Sequence, residues 1–167
     1  MSLEFSALTF RWMCARPARV VALGLGSGLA RRAPGTWGSL MGWALFVLLD
    51  PWLSDALWAL AIALCFALGV WAAQVTGREL GQPDSGHIVI DEIVALWLVL
   101  WLLPEALVQP LVWQAAAFGL FRLFDITKPP PIRFFDTRFK NGLGVMLDDL
   151  WAAFYTLLVL ALAVMVF

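Results

Sequence analysis

Residues Ile88 to Leu103 read I-V-I-D-E-I-V-A-L-W-L-V-L-W-L-L. From Ile93 to Leu103 every side chain is apolar, and Pro104-Glu105 closes the stretch. A bilayer-crossing helix needs about 20 mostly apolar residues. This stretch reaches that length if its helix begins near His87, which puts Asp91 and Glu92 at the membrane edge. A charge at the centre of a membrane helix costs at least ~2.5 kcal/mol, so acids on such a helix are candidate functional groups. Favourable placement of an acid near a helix N-terminus explains one of them more easily than two.

Four further apolar stretches flank this one. Leu40–Leu49 is entered through Trp37 and ended by Asp50-Pro51. Ala56–Ala73 and Leu150–Phe167 have 18 residues each. Ala106–Phe121 contains Gln109, Pro110 and Gln114, and gains length if it runs on through Arg122 and Phe124. The chain is 62% hydrophobic and 14% charged, with a mean hydropathy of +0.86. A soluble domain carries about 25% charged residues, so the deficit points to lipid as the solvent. Ten Trp and twelve Phe suit membrane interfaces. The expected fold is all-α: a multi-helical integral membrane protein with about four or five membrane segments, residues 1–167 forming a single domain. Leu40–Leu49 is short enough to be a span, a re-entrant segment or a buried helix.

The eleven Lys and Arg residues lie before the first stretch, between the second and third, or around the junction of the fourth and fifth. If each stretch spans, these regions share one side. Residues 50–55 and 104–105, on the other side, carry only acids. The positive-inside rule makes the basic side cytoplasmic. The expected location is a cytoplasmic membrane, crossed several times. The first twenty residues contain Glu4, Arg11, Arg16 and Arg19 and do not resemble a cleavable signal peptide. With net charge -1 and no basic tract, a nucleic-acid partner is not expected. Cys14 and Cys65 form no motif and read as small apolar fillers.

Four polar motifs sit on the basic side. Gly35-Thr36-Trp37-Gly38-Ser39 follows Gly24-Leu25-Gly26-Ser27-Gly28 and Arg31-Arg32-Ala33-Pro34. A Gly/Thr/Ser loop opening a helix offers free N–H groups to an anion, although an ordinary N-cap at Thr36 or Ser39 accounts for the same residues. Asp84-Ser85-Gly86-His87 leads into Asp91-Glu92; Asp84 or Ser85 suits a cap, and on one helix His87 and Asp91 share a face. The lone His87 suits a capping or supporting role better than a ligand's. Phe121-Arg122-Leu123-Phe124-Asp125-Ile126-Thr127-Lys128 runs into Pro129-Pro130-Pro131, so Asp125 falls in the last helical turn, where Arg122, Lys128 or a metal must offset it. Ile132-Arg133-Phe134-Phe135-Asp136 continues this motif. Asn141-Gly142-Leu143-Gly144 leads to Asp148-Asp149, two acids about 100° apart on a helix.

Each motif alone is weak. Together they place Asp91, Glu92, Asp125, Asp148 and Asp149 at one membrane face on three helices. Hard cations such as Mg²⁺ take oxygen ligands, commonly carboxylates plus substrate phosphate. Arg and Lys beside them suit a phosphate monoester, and a carboxylate or an activated water could attack phosphorus.

The four motifs, in this order from Gly24 to Asp149, resemble those of the phosphatidylglycerophosphatase A family. The resemblance implies an Mg²⁺-dependent phosphatase of the bacterial inner membrane, with its site on the cytoplasmic face. Its membrane phospholipid substrate, phosphatidylglycerophosphate, loses the terminal phosphate to give phosphatidylglycerol. Asp91, Glu92, Asp125, Lys128, Asp148 and Asp149 fall on the family's charged motif positions, and Thr36 and Ser39 on its glycine-rich loop. With the convergence on one face, the expected catalytic residues are Asp91, Asp125, Asp148 and Asp149, the expected metal ligands these with Glu92, and the expected substrate-binding residues Arg32, Thr36, Ser39, Arg122, Lys128 and Arg133. Asp136 also falls on a charged motif position. Ala95 and Arg32 depart from the family's frequent Gly and Lys without touching the carboxylates. Other lipid-phosphate chemistries lack their signatures: His87 has no second histidine to act with, and no D-x-D or D-G-x-x-A-R run occurs. A transporter predicts acids spread through the bilayer depth, and a non-catalytic scaffold predicts that Asp125→Asn is silent.

Overall fold

Proline sets where the first long helix begins. Pro34 occupies its first turn, where a missing N–H is harmless. The structure, a computed structural model, describes residues 8–103, 110–130, 132 and 139–166. Two short helices, α1 (Phe10–Cys14) and α2 (Pro17–Ala22), precede a tight 3-10 segment, Gly24–Leu29. Then come α3 (Pro34–Leu49), α4 (Asp55–Leu80), α5 (Ile90–Trp101), α6 (Pro110–Thr127) and α7 (Gly142–Val166). A 3-10 turn, Asp50–Trp52, joins α3 to α4, and Gly81 ends α4 in the left-handed conformation that closes many helices. The described residues contain no strand, in keeping with the all-α expectation.

Helix α5 is the axis. It packs against α3, α4 and α7, with α6 closing the remaining side. Ile90 through Trp97 are all buried, the pattern of a helix enclosed on every side. Trp58 of α4 stacks on Phe46 of α3 and meets Trp97 edge-on, with ring centroids 4.6 and 5.6 Å away. Small residues let the helices close up: a Cβ on Gly38 would lie 2.6 Å from Val89 Cβ, and one on Gly42 3.1 Å from Ile93 Cα. The α1–α2 hairpin clasps the end of α4. Glu79 accepts from Arg16 and, at 2.7 Å, from Arg19, whose guanidinium also lies 4.0 Å from the Trp12 ring centroid.

Among the described residues two helices, Asp55–Leu80 and Gly142–Met165 within α7, are long and apolar enough to cross a membrane. That is fewer than the four or five expected. At a rise of about 1.5 Å per residue, the 16 residues of α3 and 12 of α5 fall short of a hydrocarbon core of about 30 Å. The reason in α5 is local. Its helix starts at Ile90, not near His87, because Val89 donates its N–H to the Ala22 carbonyl at 2.8 Å and residues before it turn. Neither Asp84 nor Ser85 caps it; Val89 occupies that position. The outer surface is nonetheless oily. Leu57, Leu60, Leu64, Leu68 and Trp71 form an exposed stripe on α4, and Phe154, Leu158, Leu162 and Met165 form another on α7.

Candidate active site

Successive long helices alternate in direction, which brings five helix ends together. These are the N-terminal ends of α3, α5 and α7 and the C-terminal ends of α4 and α6. Asp91 and Glu92 lie in the first turn of α5 and are 8% exposed each. Helix α7 begins at Gly142, earlier than the apolar run suggests, so Asp148 and Asp149 sit within its second and third turns rather than ahead of it. Both are buried, at 4% and 3% exposure. Asp125 occupies the last turn of α6 as expected, one turn from Arg122.

These acids converge. Asp91, Glu92 and Asp149 each offer a carboxylate oxygen within 4.8 Å of the others. Asp125 reaches the Asp149 side chain, and Asp91 that of Glu92. Two cations answer them. Arg122 Nη1 is 2.5 Å from Asp125 Oδ2 and 3.5 Å from Glu92 Oε1. Lys128 Nζ is 2.7 Å from Asp148 Oδ2. Both acidic pairs also use the backbone: Asp91 Oδ1 accepts from the Glu92 N–H at 3.1 Å, and Asp148 Oδ1 from the Asp149 N–H at 3.2 Å.

The satisfaction is incomplete. Glu92 Oε2, Asp149 Oδ2 and Arg122 Nε are buried with no hydrogen-bond partner among the described residues. A buried carboxylate oxygen left unpaired is expensive, on the order of 1–3 kcal/mol and more when charged. Among the described residues, five carboxylates against two cations leave a formal excess of three negative charges in this cluster. An all-oxygen donor set with orphaned lone pairs fits a hard divalent cation.

Helix α3 supplies the wall. The glycine-rich run is not a loop: Thr36 and Ser39 lie inside α3, and the cap is Ala33, held at φ +49°. Neither Thr36 nor Ser39 caps the helix, and the expected Gly/Thr/Ser loop is instead the opening turns of α3. Ser39 is fully buried, donates to the Gly35 carbonyl at 3.0 Å and accepts from Arg122 Nη1 at 3.4 Å. Thr36 is half-buried one turn earlier. Arg32 is exposed ahead of α3 and makes no ion pair among the described residues, so the fold does not bring it into the cluster. Arg133 and Asp136 lie outside the described residues. His87 and Asp91 do not share a helix face, since His87 precedes α5; its Nδ1 lies 2.6 Å from the Gly28 carbonyl, a supporting role.

Sequence reading missed two contributors. A Cβ on Gly35 would fall 2.1 Å from Glu92 Oε1 and 3.2 Å from Arg122 Nη1, so only glycine leaves room for the carboxylate. Tyr155, the one tyrosine in the chain, donates to the Pro130 carbonyl at 2.8 Å and so ties the turn carrying Lys128 to α7. Nothing in the sequence pairs residues 25 positions apart.

The profile of the phosphatidylglycerophosphatase A family matches residues 20–164, nearly the whole chain and all four motifs. The chain belongs to this family. As a phosphatidylglycerophosphatase A family member it is an enzyme of the phosphatase class. It is 47% identical over 143 residues to a phosphatidylglycerophosphatase A of Haemophilus influenzae, covering 86% of each chain. It is 39% identical over 145 residues to a phosphatidylglycerophosphatase A of Escherichia coli, covering 85% of this chain and 80% of that one. A Bacteroides thetaiotaomicron protein named "Putative phosphatidylinositol-3-phosphatase" is 38% identical over 151 residues, covering 86% of this chain and 91% of its own. No solved structure matches.

Proposed function

We propose that this protein hydrolyses the terminal phosphate monoester of phosphatidylglycerophosphate, giving phosphatidylglycerol and phosphate, in an Mg²⁺-dependent reaction of phospholipid synthesis at the cytoplasmic face of the bacterial inner membrane. The observation that carries this is the buried cluster of Asp91, Glu92 and Asp149 with its orphaned oxygens, flanked by Asp125, Asp148, Arg122 and Lys128. The named activity of the Haemophilus and Escherichia relatives selects the lipid. The name of the Bacteroides relative keeps the wider class in view: a phosphate monoester on a lipid headgroup.

Asp91, Glu92 and Asp149 would hold Mg²⁺, with Asp125 and Asp148 beside them. Bound there, the ion supplies positive charge for the phosphoryl oxygens and offsets the carboxylates. Arg122 binds the monoester through its fork of N–H donors, of which Nε has no partner among the described residues. Lys128, swung from Asp148, adds a second cation. In the reaction a water oxygen bonds to phosphorus, the phosphorus–glycerol oxygen bond breaks, and the water's proton goes to the departing alkoxide. We assign that proton's passage to Asp125 and Asp148, which flank the proposed ion; Asp125 pairs with Arg122, as Glu92 also does, and Asp148 pairs with Lys128. Gly35 and Ser39 position Glu92 and Arg122.

The exposed apolar faces support a multi-pass arrangement. Leu40, Val47 and Leu48 on α3, and Leu111, Val112 and Leu123 on α6, add to the stripes on α4 and α7. Clustering at one end of the bundle separates this reading from a transporter, whose acids would follow the depth of the membrane. The test is phosphate release from phosphatidylglycerophosphate in mixed micelles by purified protein, with Mg²⁺ and with chelator. Release is expected to stop in chelator and to return with added Mg²⁺. Full activity in chelator, or in both Asp91→Asn and Asp149→Asn, overturns it.

A further inference from the structure

Outside the carboxylate cluster, a trough without a role so far runs along the outer face of α3. Two hollows of about 610 and 790 Å³ meet at Leu40 and Ala44, which line both. Leu25 and Trp37 stand at one end, Leu48 and Trp52 at the other. From Trp37 to Leu48 the helix rises about 16 Å, close to the roughly 15 Å depth of one leaflet's hydrocarbon. The lining is almost wholly apolar.

The two ends differ in charge. Arg31 and Arg32 follow Ala30 at the upper mouth, and Arg11 follows Phe10 there. All three are exposed and without an ion-pair partner among the described residues, whereas Arg16 and Arg19 are committed to Glu79. Neither hollow has a cation in its own lining, and at the lower end the neighbour of Pro51 is the acid Asp50. A slot with free arginines at the top and a leaflet's depth of apolar wall below matches an anionic phospholipid. Leu25 adds to the mouth: it is 60% exposed and held at φ +56°, a strained backbone for leucine that presents its side chain outward.

We propose that this trough seats an acyl chain of the phospholipid substrate, with the lipid's diester phosphate against Arg31 and Arg32. The proposal rests on the lipid-phosphatase reading above. Gly35 faces Glu92 while Trp37, two residues on, faces the trough. The first turn of α3 therefore divides the chain's seat from the carboxylates. A lipid carrying two phosphates joined by glycerol can straddle that turn, leaving its terminal monoester at Arg122. This gives Arg32, which the fold leaves outside the cluster, a place on the same substrate.

Two measurements on the full-length protein test it. In the first, native mass spectrometry of detergent-solubilised protein compares retention of phosphatidylglycerol and phosphatidylcholine. Wild type is expected to retain phosphatidylglycerol preferentially. Ala44→Trp, which fills the trough from an exposed position, and the pair Arg31→Gln with Arg32→Gln should each weaken that retention about tenfold. In the second, KM is compared for long-chain and dihexanoyl phosphatidylglycerophosphate. Ala44→Trp is expected to raise the long-chain to short-chain KM ratio about tenfold, with kcat moving little. Equal retention by wild type and both variants, or an unchanged KM ratio, overturns the trough. Selective retention that the variants abolish, with no hydrolysis of either lipid by wild type, keeps the trough as a phospholipid seat and overturns the phosphatase reading instead.

Discussion

Acids occur at both ends of this bundle, and the two ends treat them differently. At the far end, Asp50 Oδ1 accepts from Trp58 Nε1 at 3.1 Å and Asp55 Oδ1 from Trp101 Nε1 at 3.3 Å. Both aspartates are exposed, and among the described residues each meets a single neutral donor. At the near end Asp91, Glu92, Asp148 and Asp149 are buried, and with Asp125 they outnumber the cations beside them. An acid in a membrane protein is therefore not informative by itself. Solvent stabilises the far pair cheaply. The near cluster has been gathered out of water, and two of its carboxylate oxygens, Glu92 Oε2 and Asp149 Oδ2, have no hydrogen-bond partner among the described residues.

The sharpest way to break this contrast is to remove one near acid. Asp91→Asn and Asp149→Asn should each lower kcat on phosphatidylglycerophosphate by about a thousandfold or more, since each deletes a charge facing the proposed ion. Asp50→Asn and Asp55→Asn should leave it within about twofold and shift stability by under ~0.5 kcal/mol, because each keeps an oxygen acceptor at an exposed site. Comparable losses at both ends would dissolve the distinction.

Arg122 comes next. Arg122→Gln should cost about a hundredfold in kcat/KM, the scale of losing one preorganised donor to a transition-state oxygen. Arg122→Lys should recover only part, because an ammonium lacks the planar fork of donors, whose Nη1 alone now meets Asp125, Glu92 and Ser39. Full recovery by lysine would reduce Arg122 to a point charge.

Gly35→Ala tests packing rather than charge. The added methyl meets Glu92 Oε1 at 2.1 Å, so we expect about 1–3 kcal/mol of destabilisation in detergent melting and displaced activity with it. A normal melt with normal turnover would show that Glu92 has room to move. The smallest effect belongs to Tyr155→Phe. Losing its hydrogen bond to Pro130 should cost about 1 kcal/mol and raise KM more than it lowers kcat, because the turn it steadies carries Lys128. A fall in kcat with KM unchanged would place Tyr155 closer to the chemistry.

Much of the near end was legible in the sequence. Asp125 had to end its helix because three prolines follow at Pro129–Pro131, and its pairing with Arg122 follows from helical spacing. The acids stand out against apolar helices, and the basic residues all fall between the same segments. The glycine-rich run was misread as a loop because Gly and Ser suit turns in water. In α3 the same residues lie within the helix, where glycine is what allows α5 to approach within contact of its backbone. The start of α5 was misplaced for a related reason: the Ala22 carbonyl that captures the Val89 N–H lies 67 residues away, beyond any local rule.

Sequence alone determined the all-helical class, the family, and which residue types stand at the charged end. These follow from hydropathy, proline placement and ordered motifs, all of which act locally along the chain. Only the tertiary structure decided which acids meet. It brought Asp149 of α7 to Asp91 and Glu92 of α5, gave Arg122 to Asp125 and Glu92, gave Lys128 to Asp148, and left Arg32 outside. The physical reason is that these contacts join different helices. Their distances are set by how closely glycine-lined faces pack, a property that no single segment carries.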